Sequence, residues 1–135
     1  MKSNRSDLLA NARIAVVDDD PVEVVLLSEI GSEVSPRCDF VGHATVRDFI
    51  AAGPSQYPLV FLDRRIPPYN DYSETLPMLA EAGFKGRVVL MTAYDPGLEL
   101  GEFPFEIKGP IDKLELLNPD TLGPLLSAAE AASPS

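Results

Sequence analysis

The chain has 135 residues, 45% of them hydrophobic, and a formal net charge of −10 at pH 7. This length suits one domain with a substantial core, and the acidic balance argues against nucleic acid and anionic membranes as direct partners. Since the sequence has neither a run of 18 apolar residues nor a secretory signal, we expect a cytoplasmic protein.

The first third of the chain predicts two strands and two helices. A strand over residues 14–17 precedes Pro21, which suits a first helical turn. The helix should run to about residue 34, and we expect most of its regularly spaced apolar residues to lie in the core; these are Val22, Val25, Leu26 and Ile30. Residues 40–41 indicate a short strand, and residues 45–52 a short helix that Gly53 and Pro54 end.

The remaining chain continues the alternation of strand and helix. Residues 59–62 and 88–91 are apolar throughout, as in buried strands, and residues 73–82 indicate a helix between them. The prolines and glycines of residues 95–104 predict a short or irregular fourth helix. The last helix should be capped by Asn118 or Asp120, with one apolar face formed by Leu122, Leu125, Leu126 and Ala129.

Alternating strands and helices predict βαβ units around a parallel sheet, and polar residues follow several of its strands. Such residues are Asp18 to Asp20 after the first strand, Asp63, Thr92 and a later lysine. Ligands of open parallel sheets bind outside the carboxyl ends of the strands. Each residue alone has an ordinary explanation as a helix cap, turn or surface residue. Their recurrence at successive strand ends favours one shared site.

The motifs VVDDDP, VFLDRRIPP and VVLMTA, with a lysine late in the chain, resemble the receiver domain of two-component response regulators. The resemblance covers residues 12–131 and leaves residues 1–11 and 132–135 as expected flexible termini. It implies an α/β fold, the flavodoxin-like (βα)5 doubly wound sheet of five parallel strands in the order 2-1-3-4-5. It also implies that Asp63 accepts a phosphoryl group and that the protein is a phosphoacceptor rather than an enzyme.

The same resemblance implies a Mg²⁺ site, because an anionic carboxylate that attacks a phosphoryl group needs a cation to neutralise both reactants. Asp19 and Asp63 would be direct ligands, Asp18 would act through water, and the backbone carbonyl of Arg65 would complete the set. Carboxylate and carbonyl oxygens suit this hard cation. Thr92 and a lysine would contact the phosphoryl oxygens.

Two lysines compete for that role. A spacing of 21 residues separates Thr92 from Lys113, which leaves room for a helix and a strand, and a turn and an amphipathic helix follow Lys113. Lys108 ends the more strand-like tetrapeptide FEIK, but a last helix beginning soon after it would meet Pro119. The sequence favours Lys113 and leaves Lys108 as the alternative. The family's lysine is usually followed by a cis proline, which neither lysine has.

We therefore expect a stand-alone receiver that takes its phosphoryl group from a histidine kinase or phosphotransfer protein and signals to another protein. The first helix borders the site and would be the docking edge. One alternative is a receiver-like binding module that signals without phosphate. The other is a haloacid dehalogenase-like phosphatase with Asp18 as nucleophile, which would leave Asp63 without a role. The single cysteine, Cys38, should be a small buried residue rather than a ligand.

Overall fold

The computed structural model describes residues 12–63, 72–92 and 103–132, and the predicted helix within residues 95–104 lies mostly outside them. The described elements are, in chain order, β1 (Ala12–Val17), α1 (Pro21–Val34), β2 (Cys38–His43), α2 (Val46–Ala51), β3 (Leu59–Asp63), α3 (Tyr72–Glu81), β4 (Arg87–Thr92), β5 (Glu106–Asp112), α4 (Lys113–Leu116) and α5 (Pro119–Ala132). A single 3₁₀ turn, Pro54–Gln56, joins α2 to β3.

The five strands form one parallel sheet in the order β2-β1-β3-β4-β5, which confirms the predicted order. Parallel strands point the same way, so the last residues of β1, β3 and β4 lie at one edge of the sheet. Asp63, at the end of β3, pairs with Met91 in the register of β4.

The sheet separates two apolar clusters, because successive residues of a strand face opposite sides. Along β1, Ala15 and Val17 belong to one cluster, and Ile14 and Val16 belong to the other. Helices α2 and α3 cover the first face, while α1, α4 and α5 cover the second. The predicted apolar face of α5 is confirmed, since Leu122, Leu125, Leu126 and Ala129 are all buried.

The face that α1 turns to the core differs from the predicted one. Leu27 and Gly31 are its buried residues, whereas the exposed fractions of Val22, Val25 and Leu26 are 62%, 52% and 41%. The expectation that most of these residues pack in the core is therefore wrong. Because α1 has apolar residues on adjacent faces, helical spacing alone could not indicate which face is buried.

Strand β5 contains an irregularity that the sequence analysis did not predict. Val89 pairs with Lys108 and Met91 pairs with Ile111, so β5 has one more residue than β4 across this interval. The bulge includes Gly109, which has a φ of +98° and precedes Pro110 through a cis peptide bond. A β carbon on Gly109 would lie 2.9 Å from the Leu90 carbonyl oxygen, so this conformation favours glycine.

Buried polar contacts join the far ends of α1 and α5. The Ser35 hydroxyl donates a hydrogen bond to the Glu130 carboxylate, and Cys38, which is 3% exposed, lies beside both residues. Cys38 is thus buried, as predicted. Among the described helices, the longest have 14 residues, and none is long and apolar enough to cross a membrane.

Candidate functional site

Three carboxylates meet at the carboxyl edge of the sheet. Asp18 and Asp19 follow β1, Asp63 ends β3, and one carboxylate oxygen of each lies within 4.8 Å of the others. Asp18 is 2% exposed and Asp63 is 9% exposed, while Asp19 is open to solvent. The structure thus brings together the three aspartates that the sequence analysis grouped.

The acidic triplet after β1 divides its members between two kinds of contact. Asp18 is held in place because its backbone N–H donates to the His43 carbonyl, and its Oδ1 accepts from the backbone N–H of Asp20 at 3.0 Å. The Asp20 side chain caps α1 by accepting from the Val22 N–H at 3.0 Å. The ordinary explanation as a helix cap therefore applies to Asp20 and leaves Asp18 and Asp19 for the site.

Lys113 lies between two of these carboxylates. Its Nζ is 3.0 Å from Asp18 Oδ2 and 3.0 Å from Asp63 Oδ1, and its side chain is 21% exposed. Burial disfavours the ammonium, but hydrogen bonds to Asp18 and Asp63 and their negative charge outweigh it, so the pKa of Lys113 is raised. The ammonium therefore stays charged at neutral pH.

The end of β5 brings Lys113 to this position. Asp112 pairs with Thr92 in the last register position between β5 and β4. Its side chain then caps the short helix α4 by accepting from the Leu114 N–H at 2.7 Å. Lys108 is an exposed residue of β5 on the other side of the bulge. Of the two candidate lysines, Lys113 is thus the one beside the carboxylates.

Two predicted site residues are described only in part or not at all. Thr92 ends β4, and its backbone pairs in the sheet, but its side chain lies outside what the structure describes. Arg65, whose carbonyl was expected to bind the metal ion, lies outside the described residues.

Tyr72 is a residue at this edge that the sequence analysis did not identify. It is fully buried at the start of α3, and its hydroxyl lies 2.5 Å from the Met91 carbonyl oxygen and 3.4 Å from that of Leu62. These carbonyls belong to the residues before Thr92 and Asp63. No local pattern distinguishes Tyr72 from an ordinary core aromatic, since its polar partners are brought to it by the fold.

The donor set fits a hard divalent cation. Three carboxylates supply oxygen ligands within a small space, and one of them is open to solvent, as an ion that keeps some of its water requires. Three negative charges against the one positive charge of Lys113 leave an excess of two. Asp18, Asp19 and Asp63 are therefore suited to Mg²⁺.

Exposed apolar side chains lie on the two segments that follow Asp18 to Asp20 and Lys113 along the chain. Val22 follows Asp20 by two residues, and Leu114, next to Lys113, is 79% exposed. Together with Val25 and Leu26 they form what we call the apolar rim. These four are the large hydrophobic residues that stand out as exposed in the described part of the chain.

No protein-family model and no curated protein matches the sequence. Many solved structures of response regulator receiver domains, however, match most of the chain. The response regulator domain of Thermotoga maritima CheB is 17% identical, and the match covers 92% of this chain and 99% of that one with a TM-score of 0.66.

Two further structures show the same likeness. The receiver domain of a Francisella response regulator is 17% identical over 90% of this chain and 98% of that one, with a TM-score of 0.65. A receiver domain protein from Bacillus halodurans is 16% identical over 93% of this chain and 99% of that one, with a TM-score of 0.63. Similarity at this level of identity lies in the fold. The chain therefore has the CheY-like fold of response regulator receiver domains.

Proposed function

We propose that the protein is a receiver whose Asp63 accepts a phosphoryl group, in the presence of Mg²⁺, from a phosphohistidine of a histidine kinase or phosphotransfer protein. The observation on which this depends is the position of Lys113. Its ammonium contacts the carboxylates of Asp18 and Asp63 together, so residues from three separate strand ends share one site. A solvated turn or a surface lysine would not require this convergence.

The transfer is a substitution at phosphorus. An oxygen of the Asp63 carboxylate forms a bond to phosphorus while the bond from phosphorus to the histidine nitrogen breaks, and the electron pair of that bond returns to the imidazole. The phosphoryl group thereby moves from nitrogen to oxygen, and an acyl phosphate replaces the carboxylate. A free carboxylate beside a cation is the state that this attack needs.

Lys113 supports the reaction by charge. Before transfer, its ammonium compensates the Asp63 carboxylate at 3.0 Å, and afterwards the same ammonium can bind an oxygen of the phosphoryl group. Thr92 would donate its hydroxyl to another phosphoryl oxygen. When bound by Asp19 and Asp63 directly, by Asp18 through water and by the Arg65 carbonyl, Mg²⁺ would supply the remaining neutralisation of charge.

The apolar rim supports a protein as phosphodonor. Exposed valine and leucine side chains next to a charged site are unfavourable in water and become favourable when a partner covers them. A helix of a histidine kinase or phosphotransfer protein could present its phosphohistidine to Asp63 while its apolar residues cover the rim. The signal would then pass to a further protein.

Phosphorylation of the intact chain tests the proposal. We expect incubation with acetyl phosphate and Mg²⁺ to add one phosphoryl group, detected by intact mass, and we expect no addition without Mg²⁺ or in Asp63→Asn. Asp120→Asn, an exposed aspartate in the first turn of α5, is the matched control and should be phosphorylated like the wild type.

Two results would contradict the proposal. One is a folded wild type that gains no phosphoryl group, which would favour a binding module that signals without phosphate. The other is a phosphorylated Asp63→Asn variant, which would place the acceptor elsewhere in the chain.

A further inference from the structure

The buried residue Tyr72 bridges three elements that surround the acidic cluster. Its ring belongs to the core cluster that also contains Leu62, Leu76 and Leu90, and its hydroxyl donates to the Met91 carbonyl at 2.5 Å. The Leu62 carbonyl is also within reach of the hydroxyl, at 3.4 Å. The start of α3 is thereby joined to the ends of β3 and β4.

The hydrogen bond gives a partner to two buried polar groups, which would each cost free energy if they were left without one. A tyrosine hydroxyl in an apolar core loses its water and needs a partner. The Met91 carbonyl lies near the end of β4, in a residue that is 3% exposed and is the last of β4 to pair with β3. A buried backbone carbonyl likewise needs a donor. One hydrogen bond meets both needs.

The positions of the two acceptor carbonyls connect this hydrogen bond to the residues of the site. The Met91 carbonyl belongs to the peptide that carries the N–H of Thr92, and the Leu62 carbonyl belongs to the peptide that carries the N–H of Asp63. A hydrogen bond to either carbonyl fixes the orientation of that peptide, and so the backbone from which the next side chain extends. The shorter distance, to Met91, makes β4 the main target.

We propose that Tyr72 is a positioning residue for phosphoryl transfer, acting through the Met91 carbonyl on Thr92. This role rests on the function proposed above for Asp63 and Thr92. It differs from the role of Lys113, because the ammonium of Lys113 contacts carboxylates whereas the hydroxyl of Tyr72 acts on backbone carbonyls. It also connects α3, which follows the acceptor segment, to the strand end that carries Thr92.

Tyr72→Phe removes the hydroxyl and keeps the ring. We expect the rate of phosphorylation by acetyl phosphate to fall by about tenfold, since small displacements of reacting groups cost one to two orders of magnitude. The affinity for Mg²⁺, measured by calorimetry, should stay within about twofold, because the carboxylates that would bind the ion follow β1 and end β3 and are not carried by β4. A general loosening of the fold would weaken both.

The double variant with Tyr72→Phe and Thr92→Ala tests whether Tyr72 acts through Thr92 or independently of it. If Tyr72 acts through Thr92, then Tyr72→Phe should have little further effect in a Thr92→Ala background, so the two losses should not multiply. Tyr57→Phe is the matched control. Tyr57 is also buried, but it precedes β3 and its hydroxyl contacts the side chains of His43 and Arg13, so its loss should leave the phosphorylation rate unchanged.

Several results would overturn the role. They are a Tyr72→Phe variant as fast as the wild type, equal losses of rate and Mg²⁺ affinity, or single losses that multiply in the double variant. If Tyr72→Phe does not fold, the NMR signals of the Tyr72 ring and the Met91 carbonyl in the wild type should still move on phosphorylation, and unchanged signals would overturn it. A wild type that gains no phosphoryl group removes the proposed function itself.

Discussion

At the scale of residues, the site depends on three consecutive aspartates that have different roles. Asp20 caps a helix, Asp18 is buried against Lys113, and Asp19 remains open to solvent. Each role follows from the direction in which the backbone leaves β1, so adjacent residues of one type acquire different chemistry. The acidic triplet alone therefore indicates a site without indicating which member does what.

The two candidate lysines provide a direct comparison at this scale. We expect Lys113→Ala to lower the rate of Asp63 phosphorylation by acetyl phosphate by about a hundredfold, because it removes the one ammonium that contacts the acceptor among the described residues. Lys108→Ala should change the rate by less than about twofold, since Lys108 is exposed on the far side of the bulge. Intact mass measured on samples quenched at successive times gives the rate for both variants. Equal losses of rate would contradict the assignment of Lys113.

The two lysines also show which features of the site could be predicted from the sequence and which could not. Strand-end positions predicted Asp18, Asp19 and Asp63 as a group, and spacing favoured Lys113 over Lys108. The bulge at Gly109 could not be predicted, because it depends on pairing with β4 rather than on local composition. Strand β5 begins at Glu106, within FEIK, and continues to Asp112 beside Lys113. The tetrapeptide therefore indicated a strand correctly, but its lysine is not the one at the site.

At the scale of elements, helix α3 contains a buried polar group that has no hydrogen-bond partner in the described part of the chain. Thr75 is fully buried, and its hydroxyl has no hydrogen-bond partner among the described residues. Thr45 shows the opposite situation, because its hydroxyl caps α2 by accepting from the Asp48 N–H at 3.0 Å. The same residue type therefore has opposite effects on the stability of its helix.

Substituting both threonines by valine tests this contrast. We expect Thr75→Val to raise the free energy of unfolding by about 1 kcal/mol, because it removes a desolvated hydroxyl and keeps the shape. Thr45→Val should lower it by about 1 kcal/mol through loss of the cap. Denaturant unfolding followed by circular dichroism measures both, and a destabilised Thr75→Val variant would mean that its hydroxyl has a partner in solution.

The boundaries of most elements could be predicted because their signals are local. Pro21 and Asp20 mark the start of α1, and Asn118, which accepts from the Asp120 N–H at 2.9 Å, marks the start of α5. The burial of α1 could not be predicted in the same way. Its apolar residues occupy more than one face, and the choice between Leu27 and Val25 is made by packing against the sheet and α5.

At the scale of the whole molecule, the acidic cluster lies at the carboxyl edge of the sheet, and the apolar rim lies on the two segments that lead away from it, α1 and the segment that begins at Lys113. The rim residues come from α1 and from the segment after β5, which are distant in sequence. Lys113 brings the second segment to the first through its contact with Asp18. A partner that covers the rim would therefore approach Asp63 at the same time.

Neutral polar substitutions on the rim test this arrangement without altering the charge of the site. We expect Val25→Gln and Leu114→Gln to slow phosphoryl transfer from a phosphorylated histidine phosphotransfer protein by about tenfold each, through loss of apolar contact. Phosphorylation by acetyl phosphate should change by less than about twofold. Ala131→Gln, at an exposed position near the end of α5, is the control. Equal slowing with both phosphodonors would indicate damage to the site and contradict a docking role.

The irregularity of β5 has a consequence for how other chains can approach. This strand is the last in the order of the described sheet, and a strand in such an edge position can recruit a foreign strand through its backbone groups. Its extra residue breaks the even spacing of that row, and Pro110 offers no N–H to an incoming chain. Intermolecular strand addition along β5 is therefore disfavoured.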